Sequence, residues 1–177
     1  GADKSHRVAV KLSREGDSLH FDFSGSAPQV DAAVNSTYHA TVAGAAVPLF
    51  SFLCQGDIDW NEGLRRCLKV TAPEGTVVNA LPPAPVVGRN AITHTIVNSL
   101  MRALSEVIPE RITAAYYGMS NVHVLVGDGT GDYESWIFFD IEVGGWGARH
   151  DKDGHDCYSQ GIHNLANTPI EMVEATY

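Results

Sequence analysis

A glycine-rich run near the carboxyl end carries the residues best suited to chemistry: residues 144–149, with the sequence GGWGAR. Because glycine has no Cβ, its three glycines permit positive φ and a close approach of the backbone to another group. Successive backbone N–H groups at a strand end can cradle an anion, and Arg149 adds a planar cation suited to a carboxylate or phosphoryl group. The run is therefore either an anion-binding loop or a tight structural corner filled by Trp146.

Potential metal ligands follow this run directly. They are the imidazole, carboxylate and thiol groups of His150, Asp151, Asp153, His155, Asp156, Cys157 and His163. Histidine and carboxylate ligands suit zinc, manganese or non-haem iron. Their spacing matches no specific ligand pattern, and Asp151-x-Asp153-Gly154 falls short of a calcium loop. The favoured interpretation is a solvated polar loop, with no metal assigned to it.

Two polar residues, Asn121 and His123, begin a predicted apolar strand. Because side chains alternate between the faces of a strand, the two share one face, which borders either a cleft or an exposed edge. His123 is the candidate general base by its chemistry. The sequence contains no G-x-x-x-x-G-K-[ST] phosphate loop, no G-x-G-x-x-G fingerprint and no G-x-S-x-G elbow.

Alternating apolar residues predict two β-hairpins. The first joins residues 6–12 and 19–23, and the second joins residues 121–126 and 136–143. Between the hairpins we expect three shorter features: a strand at residues 67–71, a turn at residues 73–75 and an extended proline-rich stretch at residues 81–85.

Two main helices are predicted. The first runs from the N-cap Ser36 to Cys54, and Pro48 inside it should kink or divide it. The second spans residues 90–108, where apolar residues recur every four positions before a proline stops it. His94 within the second helix is expected to face solvent. Together with the hairpins, these helices predict an α+β class with a mixed sheet.

The bulk composition narrows the classes of function. The chain has 177 residues, enough for one domain with its own core. Its net charge of −9 argues against nucleic acid or an anionic membrane as a general partner, because phosphate binding needs clustered cations. It has no apolar stretch of about 18 residues. An odd count of 3 cysteines without a C-x-x-C pair indicates a reducing compartment, so we expect a cytoplasmic protein.

An ordered series of segments resembles the hydantoinase B/oxoprolinase family along nearly the whole chain. The first segments are DFSGSAPQ at residues 22–29 with Asn35, APEGTVVN at residues 72–79 and PPAPVVG at residues 82–88. The later ones are GMSN at residues 118–121, GGWGAR at residues 144–149 with Asp153 and Gly154, and NTPIE at residues 167–171 with Glu174 and Tyr177. Each motif is weak by itself, but their order along the chain is specific.

The resemblance implies a division of labour between subunits. Family members act beside an A-type subunit that binds ATP and Mg²⁺ and phosphorylates a carbonyl or lactam oxygen, and the B-type subunit carries the activated species onward. The implied partners are an ATP-binding hydantoinase A-like subunit, other segments of the B-type subunit and a small-molecule substrate. The implied substrate- and phosphoryl-binding residues are Asn121, Gly144, Gly145, Gly147 and Arg149.

The first function that the resemblance implies is a segment of an ATP-dependent cyclic-amide hydrolase that opens hydantoin or 5-oxoproline rings. The alternatives are a subunit of an acetone- or acetophenone-type ketone carboxylase and a non-catalytic structural subunit. The family's amino-terminal His/Asp-rich stretch, which the carboxylase branch links to a metal, and its carboxyl-terminal SGGxGxxRGG segment have no counterpart here. We therefore expect residues 1–177 to be a single domain or a fragment of a larger subunit, with any divalent metal bound outside it.

Overall fold

A computed structural model describes residues 5–54, 58–118, 121–129, 131, 134–142 and 144–156. The described chain contains a three-stranded mixed sheet, a two-stranded antiparallel sheet and two main helices. This arrangement confirms the predicted α+β class, the mixed sheet and both hairpins. It differs from the prediction by one added helix and at several boundaries.

The first hairpin supplies two strands of the mixed sheet. Strand β1 (Lys11–Glu15) pairs antiparallel with β2 (Ser18–Asp22), and the turn between them places Gly16 at φ +59°, which favours glycine. Strand β3 (Leu68–Thr71) pairs parallel with β2, which makes the sheet mixed. β1 begins later than predicted because the chain before it hydrogen-bonds to residues 26–27 instead of to β2.

The first main helix is divided by its proline. Helix α1 (Tyr38–Pro48) begins after Thr37, whose hydroxyl accepts a hydrogen bond from a backbone N–H at 3.4 Å. Thr37 is therefore the N-cap, and the prediction of Ser36 was wrong by one residue. Pro48 closes α1 and a π-helical segment (Leu49–Cys54) continues the chain, which confirms the predicted division.

A short helix that the sequence patterns did not predict lies between the π-helical segment and β3. Helix α2 (Glu62–Arg66) begins at the N-cap Asn61, whose side chain accepts a hydrogen bond from a backbone N–H of the first turn at 3.0 Å. Glu62 pairs with Arg65 at 2.6 Å on the helix surface. The Asn61 cap and the ion pair both stabilise this helix locally, although its few residues show no apolar periodicity.

Helix α3 (Arg89–Ser105) lies at the centre of the core. Its apolar stripe is buried as predicted and divides between two clusters. One holds Phe21, Phe23, Ala45, Val77, Val78, Ile92, Ile96 and Leu100, and the other holds Phe52, Val97, Met101, Leu104, Ile112 and Tyr116. Helix α1 approaches so closely that a Cβ on Gly44 would lie 3.0 Å from the Thr93 methyl group. No helix in the described part of the chain is long and apolar enough to cross a membrane.

The proline-rich stretch at residues 81–85 forms a turn, so the expectation of an extended spacer was wrong. Ala84 N–H donates to Leu81 C=O at 3.1 Å, and the Pro82–Pro83 peptide is cis. Leu81 N–H donates in turn to Gln29 Oε1 at 2.8 Å. A contact with a distant part of the chain therefore holds this stretch against the core.

The second hairpin presents an apolar face that has little cover. Strand β4 (Asn121–Gly127) pairs antiparallel with β5 (Trp136–Glu142), as predicted. The register puts six apolar residues on one face, which we call the hairpin face: Val122, Val124, Val126, Ile137, Phe139 and Ile141. The first five are between 46% and 68% exposed. Because a two-stranded sheet is only marginally stable alone, this hairpin needs contacts beyond its own strands.

Candidate functional site

The glycine-rich run lies alongside residues 114–117, which follow the turn after α3. Ala114 N–H donates to Ala148 C=O at 2.8 Å, and Tyr117 N–H donates to Gly145 C=O at 3.0 Å. The run itself follows the end of β5. These two backbone hydrogen bonds therefore fix the run relative to both the hairpin and the main helix.

Two glycines of the run permit close packing, as predicted. A Cβ on Gly147 would lie 2.5 Å from the carbonyl carbon of Ala114, and a Cβ on Gly144 would overlap the Tyr117 ring. The expected positive φ is not found in the run; among the described glycines it occurs at Gly16, Gly75 and Gly131. The run is thus rich in glycine because two stretches of backbone come close together.

The residues after the run fold back over it. Trp146 N–H donates to His155 C=O at 2.9 Å, and Arg149 N–H donates to the carbonyl three residues further on at 2.8 Å. Gly154 lies so close to the Trp146 carbonyl that any Cβ would overlap it. Residues 144–156 therefore form one folded unit, which we call the glycine loop.

A ring stack and a hydrogen bond connect the glycine loop to α3. The Trp146 ring stacks on the Tyr116 ring, with centroids 5.1 Å apart and an interplanar angle of 27°. The Tyr116 hydroxyl lies 3.1 Å from Nδ1 of His94, which is 1% exposed. Burial raises the pKa of Tyr116 far above its ordinary value, so the side chain remains a neutral phenol that can hydrogen-bond to the imidazole.

The expectation that His94 faces solvent was wrong. The threonines on either side of it indicated a polar surface, but positions 94, 97, 101 and 104 lie on one helical stripe. Val97, Met101 and Leu104 on that stripe form the second core cluster with Tyr116. The spacing could have predicted a buried His94, whereas nothing local in the sequence marks Tyr116 as its partner.

Arg149 is exposed at the end of the glycine-rich run. Its guanidinium forms no ion pair or side-chain hydrogen bond with any residue that the structure describes. An unpaired guanidinium is available to an anionic ligand and can bind carboxylate or phosphoryl oxygens in pairs. The role of Arg149 in binding a substrate or phosphoryl group stays a prediction.

Asn121 occupies the first position of β4, opposite Glu142 at the end of β5. Gly144 follows two residues after that end, so the fold places the backbone of Asn121 at the point where the glycine loop leaves the hairpin. His123 is exposed two positions further along β4, opposite Asp140. Asn121 and Gly144 thus lie near the same end of the second hairpin, whereas Gly147 lies against Ala114.

The described residues contain no group of three or more His, Cys, Asp or Glu side chains placed to hold a metal ion. The candidate ligands Cys157 and His163 lie outside these residues. The described candidates are all exposed, and His150 Nδ1 lies 3.8 Å from Asp151 Oδ1. A solvated polar loop agrees with that exposure.

Asn35, a position of the first motif, has a structural role. Its side chain is buried, accepts the Val30 N–H at 2.9 Å and donates to the carbonyl groups of Val30, Ala32 and Pro85 at 2.8, 2.9 and 2.9 Å. One amide group therefore closes its own loop and attaches the proline-rich turn to it.

The chain belongs to the hydantoinase B/oxoprolinase family, whose model matches residues 1–177. The putative B-type subunit of a D-/L-hydantoinase from Pseudomonas sp. (strain NS671) is 34% identical over 182 residues, covering 99% of this chain and 30% of that protein. The crystal structure of ATP-dependent caprolactamase from Pseudomonas jessenii matches with a TM-score of 0.76 at 27% identity, over 96% of this chain and 30% of that one.

Nucleotide-free acetone carboxylase also matches, with a TM-score of 0.77 at 18% identity, over 96% of this chain and 23% of that one. At this identity the match shows the fold alone. The chain therefore spans about 30% of the length of its hydantoinase and caprolactamase relatives.

Proposed function

We propose that the chain is a segment of the B-type subunit of an ATP-dependent cyclic-amide hydrolase, which opens a hydantoin or 5-oxoproline ring after a partner A-type subunit has phosphorylated the amide oxygen. Family membership supports the reaction class. The observation that carries the site is the exposed Arg149 guanidinium at the end of the glycine-rich run, without a partner among the described residues. The hydrolase is preferred to the ketone carboxylase because the hydantoinase relative is 34% identical and the acetone carboxylase 18%.

The glycine loop has the chemistry to receive an anionic substrate. ATP and Mg²⁺, bound by the partner subunit, would supply the phosphoryl group that makes the amide oxygen a good leaving group. Over the whole reaction one water opens the ring and a second releases the phosphate. The products are ADP, inorganic phosphate and either glutamate from 5-oxoproline or an N-carbamoyl amino acid from a hydantoin. Arg149 pairs with the phosphoryl oxygens, and the amides of Gly144, Gly145 and Gly147 add donors where negative charge grows.

The remaining groups hold the loop and exclude water from one side of it. Trp146 packs inward on Tyr116, which gives the loop an apolar underside. Asn121 is included because it is the first residue of β4 and lies beside the point where the loop leaves the hairpin. Because packing already holds the loop in place, its donors need not reorganise when negative charge develops in the transition state.

The proposed partners are an A-type subunit and the rest of a B-type subunit. Two observations support the presence of additional protein next to this chain. The hairpin face is exposed, and the chain spans about 30% of the length of its relatives. Mass spectrometry of the native complex, with peptide mapping of every chain, tests this. We expect an ATP-binding subunit to accompany a chain that contains this sequence. Recovery of the chain without such a subunit would contradict the partnership.

The catalytic role is tested by ATP-coupled turnover of hydantoin and 5-oxoproline in the native complex. Arg149→Ala should lower kcat/KM by about a hundredfold, the usual cost of losing one group that stabilises transition-state charge. Arg7→Ala removes another exposed arginine and should leave turnover unchanged. Equal turnover in Arg149→Ala and the parent would refute the role of the loop. ATP-dependent fixation of bicarbonate onto a ketone, without ring opening, would establish the carboxylase alternative.

A further inference from the structure

The second hairpin is also apolar on the side opposite the hairpin face. The register pairs Leu125 with Phe138 and Gly127 with Trp136, and these four positions point away from the hairpin face. Leu125 and Trp136 are 55% and 53% exposed. Together with Ile137 and Phe138 they line a groove of about 520 Å³, which we call the hairpin groove. Both sides of this hairpin therefore present large apolar side chains.

The Trp136 indole packs directly against the neighbouring strand. A Cβ on Gly127 would overlap the indole, so only glycine at that position lets the ring lie against β4. The ring nevertheless remains about half exposed, because β4 contacts it from one side. An indole is one of the largest apolar groups that a protein can bury. Trp136 is therefore positioned as part of the groove wall, with apolar surface left for a further contact.

The middle of each strand lacks the alternation of a sheet that has one face in water. Residues 124–126 read VLV and residues 136–139 read WIFF, and continuous apolar runs are typical of strands buried on both faces. Seven large apolar side chains of the two strands are between 46% and 68% exposed. Soluble proteins rarely leave such a patch in water, and a two-stranded sheet is only marginally stable alone. Both faces therefore need a covering layer.

The need to cover two faces narrows the choice of occupant. A second copy in a two-fold symmetric contact uses the same patch on both molecules, so it covers one face and leaves the other in water. Layers on both sides of a sheet are instead typical of the interior of one folded domain. The chain spans about 30% of the length of its hydantoinase and caprolactamase relatives. A subunit of that length has enough further polypeptide to supply both layers.

We propose that the remainder of the B-type subunit packs on both faces of the second hairpin, and that the segment in the hairpin groove carries large aliphatic or aromatic side chains. Strands β4 and β5 are then inner strands of the complete subunit. Burial of Leu125 and Trp136 stabilises this contact because their apolar surface leaves water. The hairpin face alone admits any apolar partner, whereas the groove behind it excludes a partner that covers one side. The inference rests on the proposed function only in taking the chain as a segment of a larger B-type subunit.

The test is thiol labelling of the complete B-type subunit, both alone and with the A-type subunit. Val124→Cys reports on the hairpin face and Leu125→Cys on the hairpin groove. Val107→Cys, at a 76% exposed valine beyond α3, is the control. Peptide mapping assigns each label to its position, so the native cysteines do not interfere. We expect both hairpin variants to react at least about tenfold more slowly than the control, with or without the A-type subunit, because labelling then requires local opening.

Labelling of Leu125→Cys as fast as the control overturns the proposal, and so does protection that requires the A-type subunit. Hydroxyl-radical footprinting of the unsubstituted subunit needs no variant: oxidation of Trp136 should be weak in the native subunit and strong after unfolding in urea. A photo-crosslinking amino acid at position 125 identifies the occupant. We expect crosslinks to B-type peptides outside residues 1–177. Crosslinks to the A-type subunit, or to residues 1–177 of the same or a second copy, overturn the proposal.

These measurements also separate the inference from the proposed function, because none of them depends on turnover. A protected hairpin groove in a native complex without ATP-coupled ring opening supports the inference and contradicts the hydrolase. Ring opening by a complex in which Leu125→Cys is labelled as fast as the control supports the hydrolase and overturns the inference. A native B-type subunit with no polypeptide beyond residues 1–177 contradicts both.

Discussion

The Tyr116 hydroxyl lies 3.1 Å from Nδ1 of His94, and the two side chains are 4% and 1% exposed. The pair joins the segment beside the glycine loop to the middle of α3. Because Trp146 also stacks on Tyr116, the position of the loop depends on a contact with the central helix. Changes in this pair should therefore alter both stability and the geometry of the loop.

Tyr116→Phe keeps the ring stack and removes the hydroxyl from His94. We expect a loss of about 1 kcal/mol in the free energy of unfolding, the net value of one buried hydrogen bond. Tyr116→Ala also removes the ring and should cost about 3–5 kcal/mol. Urea denaturation measures both. Tyr38→Phe, at an exposed tyrosine, should change the free energy of unfolding by less than about 0.5 kcal/mol. A larger loss in Tyr38→Phe than in Tyr116→Phe would contradict the packing described.

Gly147→Ala should destabilise the protein far more than Gly145→Ala. The new methyl at position 147 would meet the Ala114 backbone at 2.5–2.6 Å, whereas at position 145 the nearest atom is the His155 carbonyl oxygen at 3.9 Å. Overpacking of this kind costs about 1–3 kcal/mol. Thermal unfolding of the two variants, side by side, measures the difference. Equal melting temperatures would show that the two backbones are not in contact.

Asn35→Asp should prevent stable folding at neutral pH. The carboxylate cannot donate to the carbonyl groups of Val30, Ala32 and Pro85, and each unsatisfied group costs about 1–3 kcal/mol. Asn90→Asp is the control, because Asn90 is exposed in the first turn of α3, where a negative charge is favourable. Circular dichroism with denaturant measures both. A stably folded Asn35→Asp protein would show that this hydrogen-bond network is not needed.

Ser24→Ala should raise the pKa of Asp22. The side-chain hydroxyl and the backbone N–H of Ser24 both hydrogen-bond to the Asp22 carboxylate and hold its pKa below the ordinary value of 3.8. This contribution to stability is present above pH 3.8 and is lost as the pH falls through the lowered pKa. Carboxyl titration by NMR measures the shift. Ser105→Ala, whose hydroxyl donates to its own helix, should leave Asp22 unchanged.

Val124→Lys and Ile137→Lys should weaken assembly with the proposed remainder of the subunit. Both side chains belong to the hairpin face and are 54% and 68% exposed, so a charge there cannot be buried against a partner without a large cost. Native mass spectrometry measures the fraction of chain in complex. Val107→Lys, at a 76% exposed valine beyond α3, should leave that fraction unchanged. Full assembly of both hairpin variants would exclude this face as an interface.

Local patterns determined much of the fold. Alternation along residues 19–23, 121–126 and 136–143 predicts strands because side chains in a strand alternate between its two faces. The four-residue apolar repeat of α3 and the dividing effect of Pro48 are equally local, since each depends on neighbouring residues. The motif series was sufficient to identify the family. All of these features are readable from the sequence because the responsible forces act over a few residues.

Tertiary contacts decided the rest. The hydrogen-bond partner of His94 is Tyr116, which is distant in sequence, and the proline-rich turn is held by Gln29 and Asn35. The glycine-rich run could be read as an anion cradle or as a corner, and only the structure revealed that Gly147 lies against the Ala114 backbone. Contacts between distant residues leave no periodic trace in a single sequence, so packing alone determines them.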